Sequence, residues 1–117
     1  MASVSVEGDQ FRVKLSGLER LAALRGDVVV PIASVAQVRK LDRALDGLRG
    51  IRAPGTGLPG VLSYGTRRGS FGRDFAAVFG RGPGVAIELR DAPFKQLVLS
   101  AADPDSVRVL VLTASPR

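Results

Sequence analysis

The chain predicts a mainly β fold: a strongly bent antiparallel sheet of about seven or eight short strands, closed at one end by a C-terminal helix. Three observations carry this. Apolar residues alternate at period two in several short runs separated by Gly, Pro and Asp. Of the 14 glycines, 11 lie between Gly47 and Gly84, where turns between such runs are needed. The strongest helix start, Asp103-Pro104-Asp105-Ser106, stands near the end of the chain. At 117 residues the chain has the length of one domain, spanning 1–117.

Ser3 to Glu7 and Phe11 to Leu15 alternate around Gly8-Asp9, a hairpin with Val4, Val6, Phe11, Val13 and Leu15 facing a core. Ser16-Gly17-Leu18-Glu19 reads as a capping box, in which Ser16 accepts from the Glu19 amide and Glu19 reaches back to the Ser16 amide. Leu18, Leu21, Ala22 and Arg25 follow at helical spacing, with Gly26 as a left-handed stop. Two turns are too short to stand alone, so packing must hold this helix. Asp27 to Pro31 is a β-branched strand ended by proline. Ala33 to Leu41 stays extended, but Val35, Val38 and Leu41 drift out of register, which a bulge or a change to helix near Asp42 explains. Asp42 to Leu48 fits one helical turn.

Val61 to Thr66 and Arg73 to Phe79 then alternate as two strands joined by a loop from Arg67 to Gly72. Val85 to Leu89 is another strand, Asp91-Ala92-Pro93 turns the chain, and Lys95 to Leu99 places Leu97 and Leu99 on one face. In the last element Asp103 is the N-cap, Pro104 takes the first helical position, and Asp105 lies at the positive end of the dipole. Val107, Leu110, Val111 and Ala114 give it an apolar stripe suited to plugging the open end of a bent sheet.

Several of these segments together carry a resemblance. Gly55-Thr56-Gly57-Leu58-Pro59-Gly60, a strand, Tyr64-Gly65-Thr66-Arg67-Arg68-Gly69, a strand ending Ile87-Glu88-Leu89, and Leu99-Ser100-Ala101-Ala102-Asp103-Pro104 before Val107 follow one another. This order resembles small, uncharacterised actinobacterial pleckstrin-homology-like domains, over roughly residues 27 to 112. The resemblance implies a pleckstrin-homology-like barrel. It implies no particular ligand, since that architecture hosts lipid, peptide and oligomerisation roles.

Composition removes whole classes of chemistry. Cysteine and histidine are both absent, which excludes disulfides, thiolate metal sites and the usual near-neutral general base. Gly55 to Gly60 matches G-x-G-x-x-G, but a dinucleotide site needs a helix opening inside the motif, and here a β-patterned run follows. Leu58-Pro59-Gly60-Val61 reads better as a type II turn. No cofactor or metal is expected. Asp103, Asp105 and Glu19 are accounted for by helix starts, and Glu88 by an ion pair with Arg90. With no nucleophile and base left to pair, the chain reads as a non-catalytic module.

The net charge is +6, and between Gly47 and Gly84 six arginines face a single acid, Asp74. Arg49, Arg52, Arg67, Arg68 and Arg73 form the candidate binding set: a basic hairpin whose guanidinium groups could converge on one anion. The competing reading is a solvated loop with Arg67 or Arg73 paired to Asp74. Phe71, Phe75 and Phe79 share a strand parity, with Phe75 and Phe79 expected in the core and Phe71 either in the core or as a lid over the hairpin, the alternative being an exposed tip that inserts into a membrane or partner. Tyr64 is expected to pack. Aromatics make up only 5 %, poor material for stacking bases, so nucleic acid is an unexpected partner. The expected function is protein–protein interaction, with a partner protein or a second copy, through strand edges and the Arg67 to Arg73 hairpin. The alternative is an acidic lipid headgroup or phosphate on the arginines. The N-terminal residues lack a signal-peptide pattern, and the expected location is the cytoplasm, or the inner membrane face peripherally.

Overall fold

The computed structural model describes residues 3–23, 26–58 and 61–114, with the side chains of 22–23, 51–56 and 58 outside that description. Strands β1 (Ser3–Glu7), β2 (Gln10–Lys14) and β3 (Val28–Pro31) form one antiparallel sheet in that order. A second sheet runs in the order β4 (Val35–Leu41), β8 (Gly84–Leu89), β9 (Gln96–Ser100), β7 (Gly72–Phe79), β6 (Leu62–Gly69), β5 (Ile51–Leu58). Helix α1 (Gly17–Ala23) links β2 to β3, and α2 (Pro104–Ala114) follows β9. The architecture is therefore mainly β with a C-terminal helix, but as two sheets across a shared core rather than one closed barrel.

The expected all-antiparallel sheet is corrected at one place: β7 and β9 pair in parallel. The loop after β7 carries the chain past a neighbouring position before β8 begins. β9 then returns from β8 into that gap and runs alongside β7. β5 is a further strand where sequence suggested only turns. It pairs along β6 despite its glycines, with a register shift between Arg52 and Gly55 around Pro54, which has no N–H to give a ladder. The type II turn expected at Leu58 to Val61 has its centre, 59–60, outside the described residues; Leu58 and Leu62 flank it as register partners.

One core joins both sheets. Phe11, Val13, Val28 and Val30 from the small sheet meet Tyr64, Phe75, Val85, Ile87, Leu97 and Leu99 from the large one, with Val111 of α2 among them. The drift in the fourth strand is a bulge between Val35 and Gln37, which turns Val35 and Val38 both inward. The expected helical turn after it is a 3₁₀ turn, Ala44–Gly47, lying on the outer face of the large sheet. There Ala44 packs with Val78 and Val98, with Leu41, Leu45 and Leu48 around them. Gly84 permits this contact: an added Cβ would overlap the Leu99 carbonyl oxygen and crowd the Ala44 methyl.

Both helices start as expected. The Glu19 amide donates to Ser16 Oγ at 3.2 Å, and the Ser16 amide donates to Glu19 Oε1 at 2.9 Å. The Ser106 amide donates to Asp103 Oδ1 at 3.3 Å. What they bury differs from expectation. Leu18 and Leu21 are 79 % and 71 % exposed, while Glu19 is turned inward beside Tyr64. Packing alone does not hold α1 in place. Asp27 is the other anchor, its carboxylate accepting from the Leu15 amide (2.9 Å), Arg20 (3.1 Å) and Arg12 (3.3 Å). The Gly26 stop follows 24–25, outside the described residues. On α2, Val111 is buried and Val107, Leu112 and Ala114 lie partly inside, whereas Leu110 of the expected stripe faces out. Phe79 is likewise corrected. It shares the parity of Phe75 but lies two residues beyond Ala77, the last β7 residue paired to β9, and is 59 % exposed. Among the described residues no helix is long and apolar enough to cross a membrane.

Two outcomes follow. Gly84→Ala should destabilise the protein by about 1–3 kcal/mol through overpacking, read as a lower urea midpoint at unchanged slope. Burial, with Glu19 beside it, pushes the Tyr64 hydroxyl up to about 12. A raised value means that the associated stability is fully present below the ordinary tyrosine value and is lost as pH rises through about 12. Tyr64 is the only tyrosine and there is no tryptophan, so ultraviolet difference absorbance should show one late ionisation coinciding with unfolding.

Candidate functional site

Strand alternation decides where the arginines go. The β6–β7 hairpin closes with Gly69 opposite Gly72, so the loop expected from Arg67 to Gly72 shrinks to Ser70-Phe71. Arg67 and Arg68 are consequently strand residues and point to opposite faces. This splits the candidate set in two.

On the outer face a polar row crosses the large sheet in register: Gln37, Glu88, Gln96, Asp74, Arg67 and Arg52. Asp74 is only 1 % exposed. Arg49 reaches it from the connection above the sheet, its Nε donating to Oδ2 at 2.6 Å and Nη2 to Oδ1 at 3.0 Å. Gln96 Nε2 donates both to Asp74 Oδ2 (2.9 Å) and to the Gly47 carbonyl (3.0 Å). The pairing with Asp74 raises the Arg49 pKa further. Asp74 is thus paired with Arg49, not with Arg67 or Arg73 as expected. The fork of Arg67 is committed elsewhere: Nε to the Arg49 carbonyl (2.9 Å), Nη2 to the Gly50 carbonyl (2.8 Å) and Nη1 to Ser63 Oγ (3.1 Å).

Of the alternatives for Phe71, the structure has the lid. The Arg49 guanidinium lies 4.0 Å from its ring centre; a Cβ on Gly69 would run into the ring, and one on Gly50 into the Arg68 carbonyl and the ring edge. Gly50 also has φ +74°, so the turn into β5 requires glycine twice over. Glu88 pairs with Arg39 at 3.6 Å, correcting the expected Arg90 partner. Arg90 lies past the end of β8, where its amide donates to the Ser34 carbonyl.

Arg68 and Arg73 lie on the other face, directly opposite one another at the rim of the core. Arg73 sits 5.5 Å from the centre of the Phe94 ring. Lys95 is the next position across, its amide donating to the Arg73 carbonyl at 2.7 Å and its stem running beside Gly72. Three cations therefore stand in one cross-strand row. Arg52 is the register partner of Arg67, and its side chain lies outside the described residues.

Comparison with family models, curated proteins and solved structures finds no match to this chain.

The structure brings together Arg49 with Arg67, and Arg68 with Arg73, in two places on opposite faces. Sequence reasoning missed Lys95 and Gln96. Strand parity alone would have separated Arg67 from Arg68, had the hairpin loop been read as two residues. Chemically, Asp74, Arg49 and Gln96 form a set of charge-assisted bonds that fastens the 3₁₀ turn to the sheet. The inner row is a concentration of positive charge at the surface.

Arg49→Met should therefore act as a structural variant. Removing one member of a buried pair costs about 3–5 kcal/mol, and the 42 % exposure of the Arg49 side chain lowers this to about 2 kcal/mol. Urea unfolding should show that loss, and Asp74→Asn added to it should restore part of the stability by removing the stranded charge.

Proposed function

We propose that this chain is a non-catalytic interaction module, of the pleckstrin-homology-like kind its sequence resembles, acting in the cytoplasm by docking on a partner protein. The observation that carries this reading is the outward face of α1. A seven-residue helix held by its capping box and by Asp27 presents Leu18 and Leu21 almost fully to solvent. Burying a leucine is worth about 1.5–3 kcal/mol, so two displayed side by side on a fixed turn offer a partner a ready anchor.

The same end of the molecule adds to it. α1 packs over β5 and β6, with Glu19 beside Tyr64. Two residues along β6 from Tyr64 is Leu62, whose register partner is the exposed Phe79, next to exposed Val61. Apolar side chains thus surround the β5–β6 end, separate from the basic row. Many of the carboxylates serve the fold. Glu7, Asp27, Asp46, Asp74, Glu88, Asp103 and Asp105 are engaged by the chain's own arginines, lysines, amides or hydroxyls.

Leu18→Asp/Leu21→Asp should keep its thermal midpoint within about 2 °C, since both residues are exposed. Affinity capture from source-cell lysate at physiological salt should retain a defined protein on the wild type and lose it, by tenfold or more, on this variant. Retention of the same protein at equal yield by both would remove the α1 face from the interface. Sedimentation of the purified chain tests the second-copy version: concentration-dependent association abolished by the same two changes.

A further inference from the structure

We infer that the gap between the two sheets at the start of α2 is a binding site for a small uncharged apolar molecule of about six to eight non-hydrogen atoms, separate from the outward face of α1. The shared core runs out at this end. Val85 of β8 and Leu99 of β9 are register partners within it, and Val4 of β1 lines the same space from the small sheet. Beyond Leu99 the chain leaves the large sheet as Ser100-Ala101-Ala102-Asp103. Two successive alanines thus put only methyl groups where Leu, Phe and Val fill the interior elsewhere. Val107, in the first turn of α2, closes the side. The space left among these residues is about 170 Å³. Protein interiors pack to the density of organic crystals and hold few voids larger than a water molecule, so an opening of this size stands apart from the rest of the core.

Bonds within the chain fix its walls. The Ala101 amide donates to the Pro83 carbonyl at 3.0 Å, which ties the end of β9 to the approach to β8. Ser100, at the edge of the space, spends its hydroxyl on the Phe79 amide, which donates to it at 2.9 Å. Asp103 holds the α2 cap: Oδ1 accepts from the Ser106 amide at 3.3 Å, and Oδ2 from the Ser106 hydroxyl at 2.6 Å. Lys40 Nζ donates to Asp105 Oδ1 at 2.8 Å and ties the same turn of α2 to β4. The site is therefore formed before any ligand arrives.

With Ser100 and Asp103 so engaged, the side chains facing the space are hydrocarbon. A water held inside needs about two to four polar partners, and Val, Leu and Ala side chains offer none. A buried cavity of about 150 Å³ with an apolar lining takes up benzene or xenon, and the space here is of that order. It differs in having a mouth. Ala102 and Asp103 are exposed, so a ligand enters without opening the core. The Asp103 carboxylate at that mouth sets the selectivity, because it repels an anionic head group held close to it. A short alcohol is accepted where the carboxylate of the same chain length is turned away.

The test uses the full chain with ¹³C-labelled methyl groups, titrated with 1-hexanol and, in parallel, with hexanoate. Saturable shifts centred on the methyls of Val4, Val85, Leu99 and Val107, with those of Leu18 and Leu21 moving only linearly, are the expected result. At low salt 1-hexanol should bind about tenfold more tightly than hexanoate, and Asp103→Asn, which keeps a capping residue, should narrow that gap. Val107→Phe should fill the space and weaken 1-hexanol binding by about tenfold or more. Ala102→Leu, at the exposed mouth, should weaken it in the same direction and serves if Val107→Phe folds poorly. Shifts that stay linear at every methyl, equal affinity for 1-hexanol and hexanoate, or saturation unchanged in both filling variants would overturn the proposal.

Discussion

The bond set around Asp74 is the constraint on which the rest depends. A carboxylate 1 % exposed in the outer face of a sheet is costly unless every oxygen is answered. Arg49 and Gln96 answer it from two directions, and Gln96 carries the connection on to the Gly47 carbonyl. That fixes the 3₁₀ turn over Val78 and Val98 and sets where β5 enters. Arg67 then closes the turn by bonding the Arg49 and Gly50 carbonyls, groups that a turn leaves without ladder partners. The polar row and the small apolar cluster beside it are one device: each holds the other against the sheet.

From this follows a division of labour among residues of one type. Five arginines read from sequence as a single basic surface, but two of them are structural. Arg49 and Arg67 spend their donors inside the molecule, and Phe71 stacks on the first of these. Arg68 and Arg73, one residue along each strand, point the other way with Lys95 beyond them. Three cations, Arg68, Arg73 and Lys95, therefore stand in one row at the rim of the core, apart from Arg49 and Arg67. The apolar display is at another place, on α1 and the end of β7. The apolar and the basic residues thus occupy separate surfaces.

Much of the fold was legible because it rests on local rules. The first hairpin, both capping motifs, the bulge in β4 and the strand expected from Val85 to Leu89 each follow from period, turn chemistry or caps. What escaped depends on partners far along the chain. β5 is glycine-rich and lacks strand propensity, and only β6 makes it a strand. The parallel β7–β9 pair comes from a gap in the sheet that no local pattern records. Leu18 and Leu21 fit a buried stripe by spacing, yet the capping glutamate takes the inward position and turns them out. The arginines read as one basic hairpin because Arg67 to Gly72 fits a loop; Gly69 and Gly72 instead pair across a two-residue turn that extends the ladder.

Arg49 and Arg67 are locked into the fold while Arg73 stands open to solvent. Hydrogen exchange of the arginine Nε–H groups, measured by NMR, reads this directly. Slow exchange at Arg49 and Arg67, whose Nε atoms bond Asp74 and the Arg49 carbonyl, beside fast exchange at Arg73, is the expected result. Arg49 and Arg67 exchanging as rapidly as Arg73 would contradict it.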